Sequence, residues 1–174
     1  MTKQIPFKRF ALRTIPLAIA GLLFYTQPAC AILQKGEAAP AIKLTTTSGQ
    51  QITLNNYKGY VLVMDFFATW CLPCKEAIPH LNSLKQKYGK QGMQVLGVSV
   101  DEGNEREVKR FINERKIGYP VAVAGEELQT DYGLRSIPTV FIIDKKGMVA
   151  DRFQGFSDHT ANAMEETIKR LLAE

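Results

Sequence analysis

FFATWCLPCKEAIP, residues 66–79, joins two different periodicities. Upstream, Tyr60 to Phe67 is a near-continuous apolar run, which suits a central strand buried on both faces. Downstream, Ala77, Ile78, Leu81, Leu84 and Tyr88 recur at the spacing of one helical face. That helix should start near Cys71, kink at Pro79 and end at Gly89 and Gly92. Cys71 and Cys74 therefore stand where a buried strand turns into a helix.

Outward from this junction the chain keeps alternating elements. Before it, AIKLTTTSGQQITLNNY alternates apolar and polar residues about Ser48-Gly49 and reads as a short hairpin or paired edge strands. After it, Met93 to Val100 is a second buried strand. Val108, Phe111 and Ile112 mark a second helix ending near Gly118, and Glu126 to Tyr132 a shorter one. Thr139 to Ile143, behind Pro138, is a third strand, and Lys145-Lys146-Gly147 turns into a fourth, Met148 to Gln154. Ser157 is the expected N-cap of a last helix with Met164, Ile168, Leu171 and Leu172 on its apolar stripe. The order predicts an α/β domain, a mixed sheet with helices on both faces, over residues 40–174. There are no internal repeats, and 174 residues fit one domain.

Residues 1–31 differ from the rest. Lys3, Lys8, Arg9 and Arg13 precede an uncharged apolar run, Ile15 to Tyr25, and Ala29-Cys30-Ala31 follows with small residues. This is the pattern of a signal peptide. The run is about half of the roughly 20 residues that span a bilayer; an uncleaved N-terminal membrane anchor is the alternative. Residues 32–39 read as a short polar tether. The formal charge of +5 comes mostly from this segment: of 22 basic residues four lie in it, leaving 18 against 17 acidic ones. No basic stripe with interleaved aromatics remains, so nucleic acid is not an expected partner. The protein is expected to be exported, periplasmic or otherwise extracytoplasmic, either soluble after cleavage or tethered by its N-terminus.

The chain has three cysteines, and cleavage after Ala31 would leave only Cys71 and Cys74. A zinc site wants four ligands, but His80 and His159 are far apart and form no ligand pair. A disulfide closing so small a loop constrains the unfolded chain little, so stability alone does not favour a static staple. A redox-active dithiol fits better. At a helix N-terminus, unpaired N–H groups and the helix dipole favour an anion, which makes Cys71 the attacking thiolate. Cys74, one turn on and less exposed, can resolve the mixed disulfide. Asp65 lies inside the apolar run VLVMDFF. Either it reaches solvent near the strand end, or it is a buried proton acceptor or donor for Cys74, with a proton affinity raised by burial. Pro138, by its residues alone, reads as an ordinary strand-edge proline.

WCLPC, with Asp65 upstream, Pro79 behind Cys74 and Ile137-Pro138-Thr139 downstream, resembles the thioredoxin superfamily over roughly residues 36–174. It is most similar to the exported thiol–disulfide oxidoreductases of the TlpA/ResA type. GEAAPAIKLTTTSGQQITLNNYKGYVLVMDFFATWCLPC is similar to their N-terminal half and YGLRSIPTVFIIDKKG to their second. The resemblance implies a thioredoxin-like fold with an N-terminal hairpin extension, a cis peptide before Pro138 facing the cysteines, and pairing of an extended substrate with the Ile137 backbone. It implies that Trp70 flanks the nucleophile; by residue type alone Trp70 reads as a half-buried aromatic, which is compatible with that place. Two departures stand out. A glutamate that several tethered reductases carry is replaced by Ala77, with Glu76 one residue off, and Leu72-Pro73 between the cysteines is neither Gly-Pro nor Pro-His.

The resemblance implies a reductant of disulfides in exported proteins, with apocytochrome c one candidate substrate, and a membrane thiol–disulfide electron donor. No cofactor or metal is implied, and a monomer is expected. Two alternatives stand beside this. A peroxiredoxin-like peroxidase needs Thr three and Pro seven residues before its cysteine, where Cys71 has Ala68 and Met64. A non-enzymatic binding or chaperone module would keep its activity without either cysteine.

Overall fold

The expected central strand is β3, Val61–Phe67, every residue of which is buried. In the computed structural model, which describes residues 33–101 and 103–174, it sits in the middle of a five-stranded sheet. The sheet order is β5-β4-β3-β6-β7, formed with β4 (Met93–Ser99), β5 (Val121–Val123), β6 (Thr139–Ile143) and β7 (Val149–Gln154). β4 and β5 run parallel to β3, β6 is antiparallel to it and β7 is antiparallel to β6, so the sheet is mixed as expected. Residues 1–31, where the export signal and Cys30 are expected, lie outside the described residues. Among the described residues no helix is long and apolar enough to cross a membrane.

Alternation along β3 divides the core in two. Val61, Val63 and Phe67 face a cluster built with Ile78, Leu81 and Leu84 of α1 (Leu72–Tyr88), with Phe111 of α2 (Glu105–Arg115), and with Met164 and Ile168 of α4 (Asp158–Ala173). Leu62, Met64 and Phe66 face the other cluster, with Leu128 of α3 (Glu126–Asp131), Tyr132 and Phe141. Phe66, Tyr132 and Phe141 form a three-ring group with centroids 5.2–5.8 Å apart.

The helices start and stop for local reasons. Ser157 caps α4, its Oγ accepting from the Thr160 N–H while Thr160 Oγ1 accepts from the Ser157 N–H. α1 runs unbroken through Pro79, which stands on its exposed side, where the carbonyl deprived of a donor has water within reach. Its C-terminus passes into a 3-10 turn, Gly89–Gln91, closed by Gly92 at φ 101°.

The expected hairpin is present as β1 (Lys43–Thr45) and β2 (Gln51–Thr53). The segment read as a tether is docked from Leu33 onward. Gly36 N–H donates to the Val149 carbonyl, Val149 N–H to that of Glu37, and Ala39 N–H to that of Gly147, so this stretch lies along the start of β7. The chain then crosses the Tyr132 side of the sheet, where the Tyr132 hydroxyl donates to the Pro40 carbonyl and Ile42 is buried. It reaches β5 at the opposite rim, with Thr47 N–H donating to the Val121 carbonyl. β5 itself, only three residues behind Pro120, is a strand that the sequence pattern did not disclose.

Candidate active site

At the C-terminal end of β3 the chain leaves the sheet through Ala68 to Trp70, and a buried carboxylate fixes this exit. Asp101, just past β4, accepts from the Thr69 N–H at 3.0 Å, the Thr69 hydroxyl at 2.7 Å and the Ser99 hydroxyl at 2.6 Å. Asp101 and Thr69 are each 8% exposed, so these charge-assisted bonds form in a largely dry setting. None of Thr69, Ser99 and Asp101 was singled out from the sequence; a Thr two residues before a helix-capping cysteine was the only signal.

Cys71 is the N-cap of α1 and Pro73 lies in its first turn, where a missing N–H costs nothing. The Cys71–Cys74 disulfide is closed, with a Cα–Cα distance of 5.3 Å. The Cys74 N–H donates to Cys71 Sγ at 3.2 Å. In the reduced protein the same N–H and the helix terminus favour a thiolate on Cys71. Cys74 is completely buried, whereas Cys71 retains 5% exposure. Among the described residues three large apolar side chains are exposed, and Trp70 and Leu72, both beside Cys71, are two of them. Trp70 is 71% exposed rather than half-buried. It lines a cleft of about 330 Å³ together with Lys75 of α1 and Arg110 and Arg115 of α2. Glu76 points to solvent and Ala77 is buried.

Asp65 does not reach solvent. It is fully buried, and neither carboxyl oxygen has a hydrogen-bond partner among the described residues. Its place in β3 puts it on the same side as Val63 and Phe67, the side against which Cys74 and α1 pack. Burial pushes its pKa up from 3.8 to about 7.

Antiparallel pairing of Phe66 with Thr139 brings the start of β6 beside the end of β3. The loop Ser136 to Pro138 therefore lies at the same end of the sheet as the cysteines. The Ile137–Pro138 peptide is cis, Pro138 is buried, and the half-buried Ile137 packs against the cluster that contains Cys71 and Cys74. Trp70, Cys71, Cys74, Asp65, Ile137 and Pro138 are thus gathered in one region. Among the described residues no group of three or more His, Cys, Asp or Glu side chains is placed to hold a metal ion.

Comparison with known proteins agrees with this geometry. Residues 35–152 match the AhpC/TSA family. Thiol-disulfide oxidoreductase ResA of Bacillus thuringiensis subsp. konkukian is 33% identical over 140 residues, which cover 80% of this chain and 79% of that protein. ResA of Geobacillus thermodenitrificans is 33% identical over 156 residues, covering 86% and 87%. Among solved structures, a Chlorobium tepidum protein provisionally named thiol:disulfide interchange protein DsbE superposes with a TM-score of 0.76 at 31% identity, over 80% of this chain and 99% of that one. The exposed lipoprotein thioredoxin Etrx1 of Streptococcus pneumoniae gives 0.66 at 28% identity, over 76% and 100%. With its closed cysteine pair at the head of α1 and these relatives, the chain belongs to the thioredoxin-like AhpC/TSA family and is a thiol–disulfide oxidoreductase of the ResA and DsbE type.

Proposed function

We propose that this oxidoreductase works outside the cytoplasm as a reductant of disulfides in exported proteins, with apocytochrome c among its candidate substrates. The observation that carries the reading is the pairing of a helix-capping Cys71 with a buried Cys74, beside a fully buried Asp65 that has no hydrogen-bond partner among the described residues. The Cys71 thiolate attacks one sulfur of a substrate disulfide, forming the mixed disulfide and releasing the other substrate sulfur as a thiolate. Cys74 then gives its proton to the Asp65 carboxylate, and its sulfur attacks Cys71 Sγ. The Cys71–Cys74 bond forms, the second substrate thiolate leaves, and the substrate has gained two electrons. A proton affinity near neutrality suits Asp65 to both taking and returning that proton. Trp70, Leu72 and the Ile137–Pro138 loop supply the apolar rim and backbone against which an extended substrate segment lies.

Re-reduction by a membrane thiol–disulfide partner completes the cycle. The export pattern of residues 1–31 supports the location, as does the description of Etrx1 as an exposed lipoprotein. The peroxidase alternative finds no support at the cysteine: Met64 and Ala68, where its Pro and Thr are required, are fully buried and apolar. The deciding measurement is the reduction potential of the pair, by equilibration in defined thiol buffers. A value near about −270 mV means a reductant, and one near about −120 mV a disulfide donor, which would reverse the proposed electron flow.

A further inference from the structure

The exchange steps leave one buried titratable group behind Cys74 unused. Gly97 of β4 lies directly across from Asp65 in the parallel β3–β4 register. A Cβ added at Gly97 would stand 3.2 Å from Tyr119 Cε2, 3.2 Å from Phe67 Cε1 and 3.0 Å from Val121 Cγ2. All three neighbours belong to the cluster that contains Cys74. The absence of a side chain at position 97 thus lets the Tyr119 ring lie over β4, on the face that Asp65 uses. Tyr119 is 5% exposed. Its hydroxyl, like both Asp65 oxygens, has no hydrogen-bond partner among the described residues.

The other elements around Asp65 bring little charge. Cys74 of α1 titrates only when reduced. Gly97 of β4 and Val140 of β6, its register neighbours, do not titrate. α4 contributes Met164 and Ile168 to the same cluster. Tyr119, on the connection into β5, is the group there that keeps a donor proton. Burial first, and then the nearby Asp65 charge, hold that proton on the phenol well above the ordinary range.

We propose that Tyr119 is a positioning residue for the resolving step: its O–H is the donor that the Asp65 carboxylate takes up on ionising, and it thereby sets the strength with which Asp65 draws the proton from Cys74. The proposal rests on the reading of Asp65 as proton acceptor. A neutral Asp65 makes little demand for a donor, and here the two groups stand unbonded. Ionisation supplies the attraction that turns the carboxyl toward the phenol. The proton moves from Cys74 Sγ to Asp65, and Tyr119 keeps its own throughout. The electron pair moves as described above, from Cys74 sulfur to Cys71 sulfur and on to the departing substrate thiolate.

The test is the titration of the Asp65 side-chain carboxyl in the oxidised protein, followed by carbon NMR, in wild type and Tyr119→Phe, which keeps the ring over Gly97. Single-turnover resolution of a mixed disulfide is measured over the same pH range, with Asp65→Asn alongside. Loss of a hydrogen bond to a charged acceptor should move the carboxyl midpoint up by about one pH unit. The kinetic midpoint should follow. An unmoved carboxyl midpoint in Tyr119→Phe overturns the proposal and leaves Asp65 in place as acceptor, provided Asp65→Asn is slow. Wild-type rates in Asp65→Asn at every pH overturn both readings. If Tyr119→Phe fails to fold, the reciprocal measurement decides. Removing the Asp65 charge should lower the Tyr119 hydroxyl midpoint in Asp65→Asn, and an unchanged one refutes the coupling.

Discussion

Asp65→Asn should change the pH dependence of folding in a way that the buried carboxyl dictates. Below 3.8, the ordinary value, Asp65 is protonated in both folded and unfolded chains, and pH has no leverage on it. Between 3.8 and about 7 the unfolded chain has released the proton while the folded chain holds it. The native state then binds more protons, so the stability contributed by the neutral carboxyl falls as pH rises, and the loss is complete above about 7. At about 1.36 kcal/mol per pH unit, the rise from 3.8 to about 7 corresponds to roughly 4 kcal/mol. The asparagine amide carries no charge at any of these pH values. Its own unsatisfied burial costs about 1–3 kcal/mol, independent of pH. The unfolding free energy of Asp65→Asn minus that of wild type should therefore climb by about 4 kcal/mol from about pH 4 to about pH 8, whatever its starting offset. Urea titrations of the oxidised proteins, disulfide intact, measure it. Parallel stability curves for the two proteins would refute the burial argument and the acceptor role built on it.

Three further outcomes are expected. Cys74→Ala should accumulate a mixed disulfide with a substrate protein, visible on non-reducing gels, whereas Cys71→Ala should trap none. Asp101→Ala strands the Thr69 N–H and the Thr69 and Ser99 hydroxyls, and should lower the unfolding free energy by about 3 kcal/mol in urea. Gly97→Ala places a methyl 3.0–3.2 Å from Val121, Phe67 and Tyr119, and should destabilise by about 1–3 kcal/mol in the same assay; an unchanged midpoint would mean that the Tyr119 ring moves aside without cost.

The elements with a strong period were legible in the sequence. β3, β6 and α4 begin and end within a residue or so of where their apolar patterns and the Ser157 cap place them. The cysteine pair announced itself because its spacing and its place between a strand and a helix are both local. What escaped notice depends on long-range contacts. β5 has three residues, too few to show a period, and exists because β4 and Thr46–Thr47 pair with it. The clamp from Asp101 to Thr69 spans the ends of two strands whose adjacency only the fold creates. Gly97 leaves room inside β4 for a ring that comes from beyond α2, a contact that no local pattern announces.

The crossing segment from Leu33 to Thr47 also bears on how the molecule behaves before it is finished. Open strand rims pair readily with other chains, and this segment occupies parts of both: the start of β7 on one side and β5 on the other. Its bonds are made late. Ala38 must wait for Met148 and Thr46 for Ala122, although both leave the ribosome long before their partners. Until the last hairpin has been delivered, each nascent molecule carries unguarded rims, and closing them requires contacts between distant parts of the chain, the slow kind. A chain shortened to begin at the hairpin would keep its disulfide chemistry and lose the guard on β7, becoming prone to stick to its own copies in proportion to its concentration.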